Sequence, residues 1–548
     1  MGTYLNPGKY AFEEASGSEI FVDKTEMIAF LNRVVRTEQK YVCVSRPRRF
    51  GKSMAVKMLC AYYGSGADSR SLFETCKISN KTHDWDKYLC KFDVIRLVMT
   101  DFFKHGRSFD QALNRLQALV IRDLAKAYPE VDFFDQLDLL QSMQDIYEEK
   151  HTQFIIIIDE WDAIFREYKE DKEGQKRYLD FLRDWLKDKE YVALAYMTGI
   201  LPIKKYGKHS ALNMFDEYSM TLPLQLAQYA GFTEEEVADL CEEYGRDFNL
   251  IRKWYDGYRV SDIIPPDPGR ERLLATGKPE EAEKYSLYNP LSVVKAIRSG
   301  IISNYWNETE TYEALKQYID WNFDGLKEDV AVLMAGGQIS VDITGYQNDM
   351  TTFHSKDDIL TMLIHLGYLG YDSSVKKVRI PNQEVLQVFQ SSTGGRDWKI
   401  TFQALENSRK LLEATWNCDQ NVVAELLEAA HDKAGNKTYH SEAGLSYAVQ
   451  LAYYAAQDLY TVIPELDTGK GYADLAYIPK DPKYPAMLIE LKYEGDAETA
   501  ISQIHRQKYP DRLELYKGKM ILVGINYTRT VSNKDVEFKH HSCMIERG

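Results

Sequence analysis

Phe154-Ile-Ile-Ile-Ile158 has no polar face, and that limits the folds open to this chain. A strand with one side in water alternates apolar and polar residues. A strand that is apolar at every position must be covered on both faces, as in a parallel sheet sandwiched between helices. Tyr41–Val44, Val94–Met99 (interrupted only at Arg96) and Val192–Met197 have the same character, and helical patterns separate them. The first portion of the chain therefore reads as an α/β domain built on a parallel sheet.

Two of these strands end in residues with chemistry. After Tyr41–Val44 comes Ser45-Arg-Pro-Arg-Arg-Phe-Gly-Lys-Ser53, followed by an amphipathic helix. Strand, loop, Gly-Lys-Ser and helix is the context of a P-loop. The loop at Arg48, Arg49, Phe50 and Gly51 would offer amides to phosphate oxygens, Lys52 would reach the β/γ-phosphates of ATP, and Ser53 would ligate Mg²⁺. The general pattern has glycine at position 46, where this chain has Arg46. The run Phe154–Ile158 closes on Asp159-Glu160. A buried parallel strand ending in Asp sets that carboxylate beside the loop, where Asp159 would hold the Mg²⁺ shell and Glu160 would polarise the attacking water. The bland readings are a basic surface turn and a strand capped by solvated acids, and the co-occurrence of both motifs favours the nucleotide site. Thr198 reads either as a polar sensor on a neighbouring strand or as an ordinary strand-end threonine. Asp162 suits a helix cap equally well.

At 548 residues the chain is too long for one core. We read a P-loop domain over 1–225, a mostly helical middle domain over 226–400 and a C-terminal α/β domain over 401–548. Thr233 and Glu236 form a capping box before a helix whose apolar face holds Val237, Leu240, Cys241 and Tyr244. Ser261–Glu283, rich in Pro, Gly and charge, reads as an exposed insertion. A helix over Asp357–His365 stops at Gly367, and a small hairpin is expected near Tyr368–Ile380. The last unit reads α-β-β-α-β, with helices over Ser446–Gln457 and Ala497–Tyr509 and strands at Gly471–Ile478, Ala486–Lys492 and Ile521–Asn526.

A net charge of −15 argues against a surface that coats nucleic acid indiscriminately, though a local basic groove needs only a few Lys and Arg. Seven scattered cysteines without zinc spacing suit a reduced compartment. No signal peptide pattern is visible, and the longest aliphatic run, Ile155–Ile158, is far too short to span a bilayer. The expectation is a cytoplasmic protein with no membrane contact.

The C-terminal unit carries a second constellation. Glu490 and Lys492 in Met487-Leu-Ile-Glu-Leu-Lys492 share one face of a strand. A hairpin turning near Pro482 sets Asp474 opposite Glu490, with Cβ atoms about 5 Å apart. Two facing carboxylates repel unless a cation sits between them. The bland reading is a surface hairpin with an ordinary Glu–Lys pair. Residues 506–519 hold five Lys/Arg against two acids, a modest basic patch or a solvated helix face.

Phe21-Val-Asp-Lys24, RPRRFGKS, IIIIDEWD, Thr198-Gly-Ile-Leu-Pro202, Trp254-Tyr-Asp-Gly-Tyr258 and Tyr288-Asn-Pro290 together resemble the bacterial AAA-ATPase-like family. That family carries Arg where the first P-loop glycine stands elsewhere, so Arg46 fits it. The Trp254–Tyr258 aromatics read as packing around an Asp-Gly turn. Asp474 followed by Glu490-x-Lys492 resembles the PD-(D/E)XK nuclease superfamily, with Ala473 in place of its nominal proline. That resemblance implies a restriction-endonuclease-like fold in which Asp474 and Glu490 bind Mg²⁺ and Lys492 orients the water. Glu442 would be a further ligand, and Gln503 and Tyr509 belong to the polar helix that follows. Together the resemblances imply an ATPase coupled to a Mg²⁺-dependent nuclease acting on nucleic acid, DNA before RNA, with oligomers compatible. The alternative from another class is a nucleotide-dependent regulatory switch whose nuclease-fold domain binds nucleic acid or protein without cutting.

Overall fold

The computed structural model describes residues 2–548 apart from 105, 204–210, 262–283, 307–311, 321–324, 335, 348–352, 394–395, 435–444, 447–448, 451, 457–458, 468–471, 507–515, 517 and 529–539. It divides into two compact units, Met1–Ser392 and Thr393–Gly548. All seven cysteines are free thiols. No helix among the described residues is long and apolar enough to cross a membrane.

The first unit is built on five strands, β1 (Tyr41–Ser45), β2 (Asp93–Val98), β3 (Phe154–Asp159), β4 (Val192–Gly199) and β5 (Asp216–Tyr218). They pair in parallel in the order β2-β3-β4-β1-β5. β3 is buried at every position, and its residues divide between two cores. Phe154, Ile156 and Ile158 face one core with the helices Phe109–Ala127, Leu139–Lys150 and Lys172–Leu186. Ile155 and Ile157 face the other, with the helices Met27–Val34 and Lys52–Tyr63. Continuous apolarity in the sequence is thus the mark of a strand with a core on each side. The chain leaves β1 for the far edge and returns through β4, so β4 lies between the P-loop strand and the strand ending in Asp159. A crevice at the C-terminal ends of strands at such a reversal is where open α/β sheets bind ligands.

The rest of the first unit is mostly helical, with two small antiparallel sheets. β6 (Phe232–Thr233), β7 (Tyr258–Ser261) and β8 (Lys284–Tyr288) pair in the order β6-β8-β7. β9 (Ile339–Ser340), β10 (Gly370–Asp372) and β11 (Lys377–Arg379) pair as β10-β11-β9. The capping box at Thr233 and Glu236 forms, and Gly367 ends the Lys356–Leu366 helix in the left-handed region at φ +87°. The hairpin expected near Tyr368–Ile380 is β10–β11. The insertion expected at Ser261–Glu283 lies almost wholly outside the described residues.

The second unit has five strands, β12 (Tyr460–Asp467), β13 (Tyr472–Pro479), β14 (Ala486–Tyr493), β15 (Met520–Tyr527) and β16 (His541–Arg547), ordered as numbered. Only β14 and β15 are parallel, and the Ala497–Arg506 helix makes the crossover that parallel neighbours require. Leu411, Leu412, Val423 and Leu427, from the helices Arg396–Trp416 and Gln420–Ala434, pack on Leu475, Tyr477, Met487 and Ile489. Ile501 and Ile504 cover Ala476, Leu488 and Leu522 on the opposite face. Two strands escape the sequence pattern. β12 holds Pro464 in its interior, which an edge strand tolerates. β16, His-Ser-Cys-Met-Ile-Glu-Arg, is too polar to signal burial.

A buried acid makes the first unit sensitive to pH. Glu384 is fully buried, and one carboxylate oxygen accepts the N–H groups of Tyr305 at 2.8 Å and Trp306 at 3.0 Å. Burial pushes its pKa from an ordinary 4.5 up to about 7. A raised folded pKa gives stability that is complete below pH 4.5 and is lost as pH rises through 7, reaching about 3 kcal/mol. Glu384→Gln is therefore expected to gain on wild type by up to about 3 kcal/mol between pH 4.5 and 8 in denaturant unfolding of the first unit. Parallel pH profiles for the two proteins would contradict this account.

Candidate functional sites

The loop after β1 is pinned from beneath by the residue that replaces its usual glycine. The Arg46 guanidinium is fully buried; its Nη1 donates to the Ser45 carbonyl at 3.0 Å and to the Tyr218 carbonyl on β5 at 2.8 Å. The Arg46 N–H donates to Gly199 O, on β4, at 3.0 Å. Arg46 thus ties the C-terminal ends of β4, β1 and β5 together. Burial lowers its pKa to about 10, which leaves it charged at neutral pH. The loop then turns through Arg49 at φ +70° and Gly51 at φ +84°, with Arg48 and Arg49 exposed and Phe50 fully buried. Lys52 opens the helix, and its Nζ donates to Arg46 O at 2.9 Å and Pro47 O at 2.7 Å. Burial lowers its pKa to about 8, against the attraction of Asp162, Asp159 and Glu160.

At the end of β3, Asp159 is 2% exposed and accepts hydrogen bonds from Ser53 and from Thr198 Oγ1, the latter at 3.1 Å. Burial raises its pKa in spite of these bonds and of Lys52. Thr198, at the end of β4, therefore holds the Asp159 carboxylate. Glu160 sits in the left-handed region at φ +54°, and its carboxylate takes Arg166 Nη2 at 3.0 Å. Asp162 occupies the N-cap position of the Ala163–Glu167 helix but makes no capping bond. Its Oδ2 instead accepts the Ile200 and Leu201 N–H groups at 3.1 and 3.0 Å, and Arg166 Nε lies 3.6 Å away. Sequence reasoning missed Arg166 and the strut role of Arg46; the one available signal for Arg166 was its spacing of four from Asp162.

A cavity of about 760 Å³ opens on this group. Arg48, Arg49, Lys52, Ser53, Glu160 and Arg166 line its polar part. Phe12, Phe21, Val22, Phe232 and Leu291 give it an apolar wall. The cavity therefore combines charged groups with an apolar surface, the mix that small-molecule sites use.

In the second unit, β13 and β14 pair with Leu475 opposite Ile489. One step further along that register sets Asp474 opposite Glu490, and Asp474 Oδ2 accepts the Leu491 N–H at 2.7 Å. Glu490 is 1% exposed, and its pKa is pushed up to about 7, by burial first and then by Asp474, against Lys492. Lys492 Nζ lies 3.2 Å from Glu490 Oε1, whereas Glu490 Oε2 is buried without a hydrogen-bond partner among the described residues. Asn526, beside Lys492 on β15, accepts the Gly495 N–H at 2.9 Å and fixes the turn that leaves β14. Nothing in the sequence singled it out. Gln503 lies half-buried on the Ala497–Arg506 helix. Glu442, Tyr509 and most of the basic stretch 506–519 lie outside the described residues. Among the described residues no group of three or more His, Cys, Asp or Glu is placed to hold a metal.

Two stretches of the chain match known protein families. Residues 10–207 match the AAA-ATPase-like family, described as predicted AAA-ATPase, and residues 445–537 match the PD-(D/E)XK nuclease superfamily. The chain carries both domains. A protein of Azotobacter chroococcum mcd 1, described as an uncharacterized protein in the vnfD 5' region, is 23% identical over 532 residues and is matched over 93% of each chain. Among solved structures, Aeropyrum pernix ORC2 in its ADPNP-ADP form is 11% identical, with a TM-score of 0.29 over 68% of this chain and 96% of its own. Aeropyrum pernix ORC1 in complex with DNA is 12% identical, with a TM-score of 0.24 over 71% of this chain and 98% of its own. Likeness at that level carries no argument about function.

Within the stretch that matches the AAA-ATPase-like family, the contacts of Asp162 make its loss costly to stability. Asp162→Ala strips two buried N–H groups of their acceptor and removes one of Arg166's acidic neighbours, an expected loss of about 3–5 kcal/mol. Asp162→Asn keeps an acceptor oxygen and should lose less than half of that. Denaturant midpoints measure both, and a loss under about 1 kcal/mol for the alanine variant would contradict the contacts described.

Proposed function

We propose that the protein is an ATPase coupled to a Mg²⁺-dependent nuclease acting on nucleic acid, with DNA the first candidate. The observation that carries the nuclease half is the carboxylate pair of β13 and β14. Asp474 and Glu490 face each other, Glu490 is buried, and its Oε2 has no partner among the described residues. A divalent cation bound there would neutralise both carboxylates, polarise a scissile phosphate and acidify a bound water. Asp474 and Glu490 would hold that cation, and Lys492, poised at 3.2 Å from Glu490, would orient the attacking water. The donor oxygens are hard and suit Mg²⁺.

In the AAA-ATPase-like domain, the loop at Arg48–Gly51 and Lys52 would bind the nucleotide phosphates, with Ser53 and Asp159 fitting the Mg²⁺ that accompanies ATP. Thr198 holds Asp159 in place. Glu160 lines the cavity and would take the proton of the attacking water, its carboxylate oriented by Arg166.

Thermal denaturation of EDTA-treated, nucleotide-free protein tests the metal site. Mg²⁺ or Mn²⁺ should raise the midpoint of wild type, and of Lys492→Ala, but not that of Asp474→Asn. In metal-free buffer Asp474→Asn should be as stable as wild type or gain about 0.2–1 kcal/mol, because it removes a like-charge pair. Equal metal shifts in wild type and Asp474→Asn would exclude these carboxylates as ligands. Lys52→Ala should abolish ATP turnover, and near-normal turnover in that variant would exclude the P-loop assignment.

A further inference from the structure

Trp254–Tyr258 has no place so far in either site, yet Tyr258 is at the centre of a contact that reaches the P-loop. Both apolar residues of the loop are held by the part of the first unit that follows the parallel sheet. The fully buried Phe50 ring meets the Tyr258 ring edge-on, with centroids 5.2 Å apart and planes at 86°. Phe50 O accepts the Gly231 N–H at 3.0 Å. Gly231 has φ +102°, and a Cβ there would lie 3.1 Å from the Phe50 ring, so glycine is what lets backbone and ring meet. Pro47 rests on Gly367 in the same way. Gly367 has φ +87°, and a Cβ there would fall 2.8 Å from Pro47 and 2.7 Å from the Trp306 ring. Tyr258 joins the two grips: its ring takes Phe50, and its hydroxyl donates to Gly367 O at 2.6 Å.

Between the two gripped residues, Arg48 and Arg49 are exposed and line the cavity. Arg49 is held at φ +70°, a conformation that a non-glycine residue keeps only when its surroundings impose it. Pro47 O also accepts the Lys52 ammonium, so a shift of Pro47 moves the partner of Lys52. The loop therefore has its phosphate-facing groups at its tip and its two apolar anchors in a socket of Tyr258, Gly231 and Gly367.

We propose that Tyr258 is a positioning residue for the nucleotide: it grips the P-loop through Phe50 and Gly367, and thereby sets where the loop amides, Arg48 and Arg49 meet the phosphates. The proposal rests on the ATP reading given above. It follows by linkage that any partner shifting Tyr258 changes nucleotide affinity, and that nucleotide acts back on Tyr258 by the same factor.

The test uses the full chain, with Mg-ATP titrated against wild type, Tyr258→Phe and Tyr258→Leu, and with KM and kcat measured separately. Tyr258→Phe keeps the edge-on ring contact but loses the bond to Gly367 O, so its KM should rise by less than that of Tyr258→Leu, about two- to threefold. Tyr258→Leu should raise Kd and KM for ATP by roughly tenfold while kcat changes less than about threefold. Amide exchange over residues 46–51 should quicken in the leucine variant. A role in packing alone predicts a lower thermal midpoint with unchanged Kd and KM, and that result overturns the proposal. If Tyr258→Leu does not fold, Phe50→Leu alters the same contact from the loop side; the same rise supports the proposal and unchanged KM overturns it. Wild-type protein that binds no nucleotide overturns the ATP reading itself. Wild-type binding shared unchanged by the folded variants overturns only the role of Tyr258.

Discussion

Three charged side chains, Arg46, Asp159 and Asp162, are removed from water at the C-terminal end of one parallel sheet, with Lys52 partly buried among them. Isolated, each would cost several kcal/mol, so the geometry of that end of the sheet is set by the groups that meet them. Asp159 is met by Ser53 and Thr198, Asp162 by two backbone N–H groups and Arg166, Lys52 by two loop carbonyls, and Arg46, among the described residues through Nη1 alone of its guanidinium nitrogens, by carbonyls from two strands. The strand order makes this possible. With β4 between β1 and β3, Thr198 and the segment after it lie within reach of both Asp159 and Asp162.

The same arrangement explains how the loop after β1 turns without glycine at position 46. Arg46 turns the chain by anchoring it from below, while Phe50 and Pro47 anchor it from the side in a socket of aromatic rings and glycines. In the second unit the balance is left open instead. Glu490 is buried opposite Asp474 with one oxygen unsatisfied among the described residues, and Lys492 offsets only part of that cost. A site that crowds its charges in this way gains stability when a cation arrives.

Features carried by a few consecutive residues were legible in the sequence. The continuous apolarity of Phe154–Ile158, the Gly-Lys-Ser turn, the Thr233 capping box and the Glu490-x-Lys492 alternation each report a local backbone requirement, and each forms as expected. The pairing of Asp474 with Glu490 was legible too, because a hairpin register follows from its turn. Contacts between residues far apart in sequence were not. Arg46 reaches Tyr218, and Phe50 reaches Gly231 and Tyr258, across separations that no local pattern encodes. β12 was missed because Pro464 reads as a strand breaker, and only its place at a sheet edge makes the proline harmless.

The central claim is that one chain joins nucleotide turnover to phosphodiester cleavage through the residues named. It is tested most directly by incubating purified protein with Mg²⁺ and ATP and with single- and double-stranded DNA and RNA, alongside Lys492→Ala and Glu160→Gln. The account predicts that wild type cuts one of these substrates, that Lys492→Ala hydrolyses ATP but does not cut, and that Glu160→Gln binds ATP yet turns over both reactions slowly. Cleavage that persists undiminished in Lys492→Ala, or no cleavage of any substrate by wild-type protein that hydrolyses ATP, would contradict it.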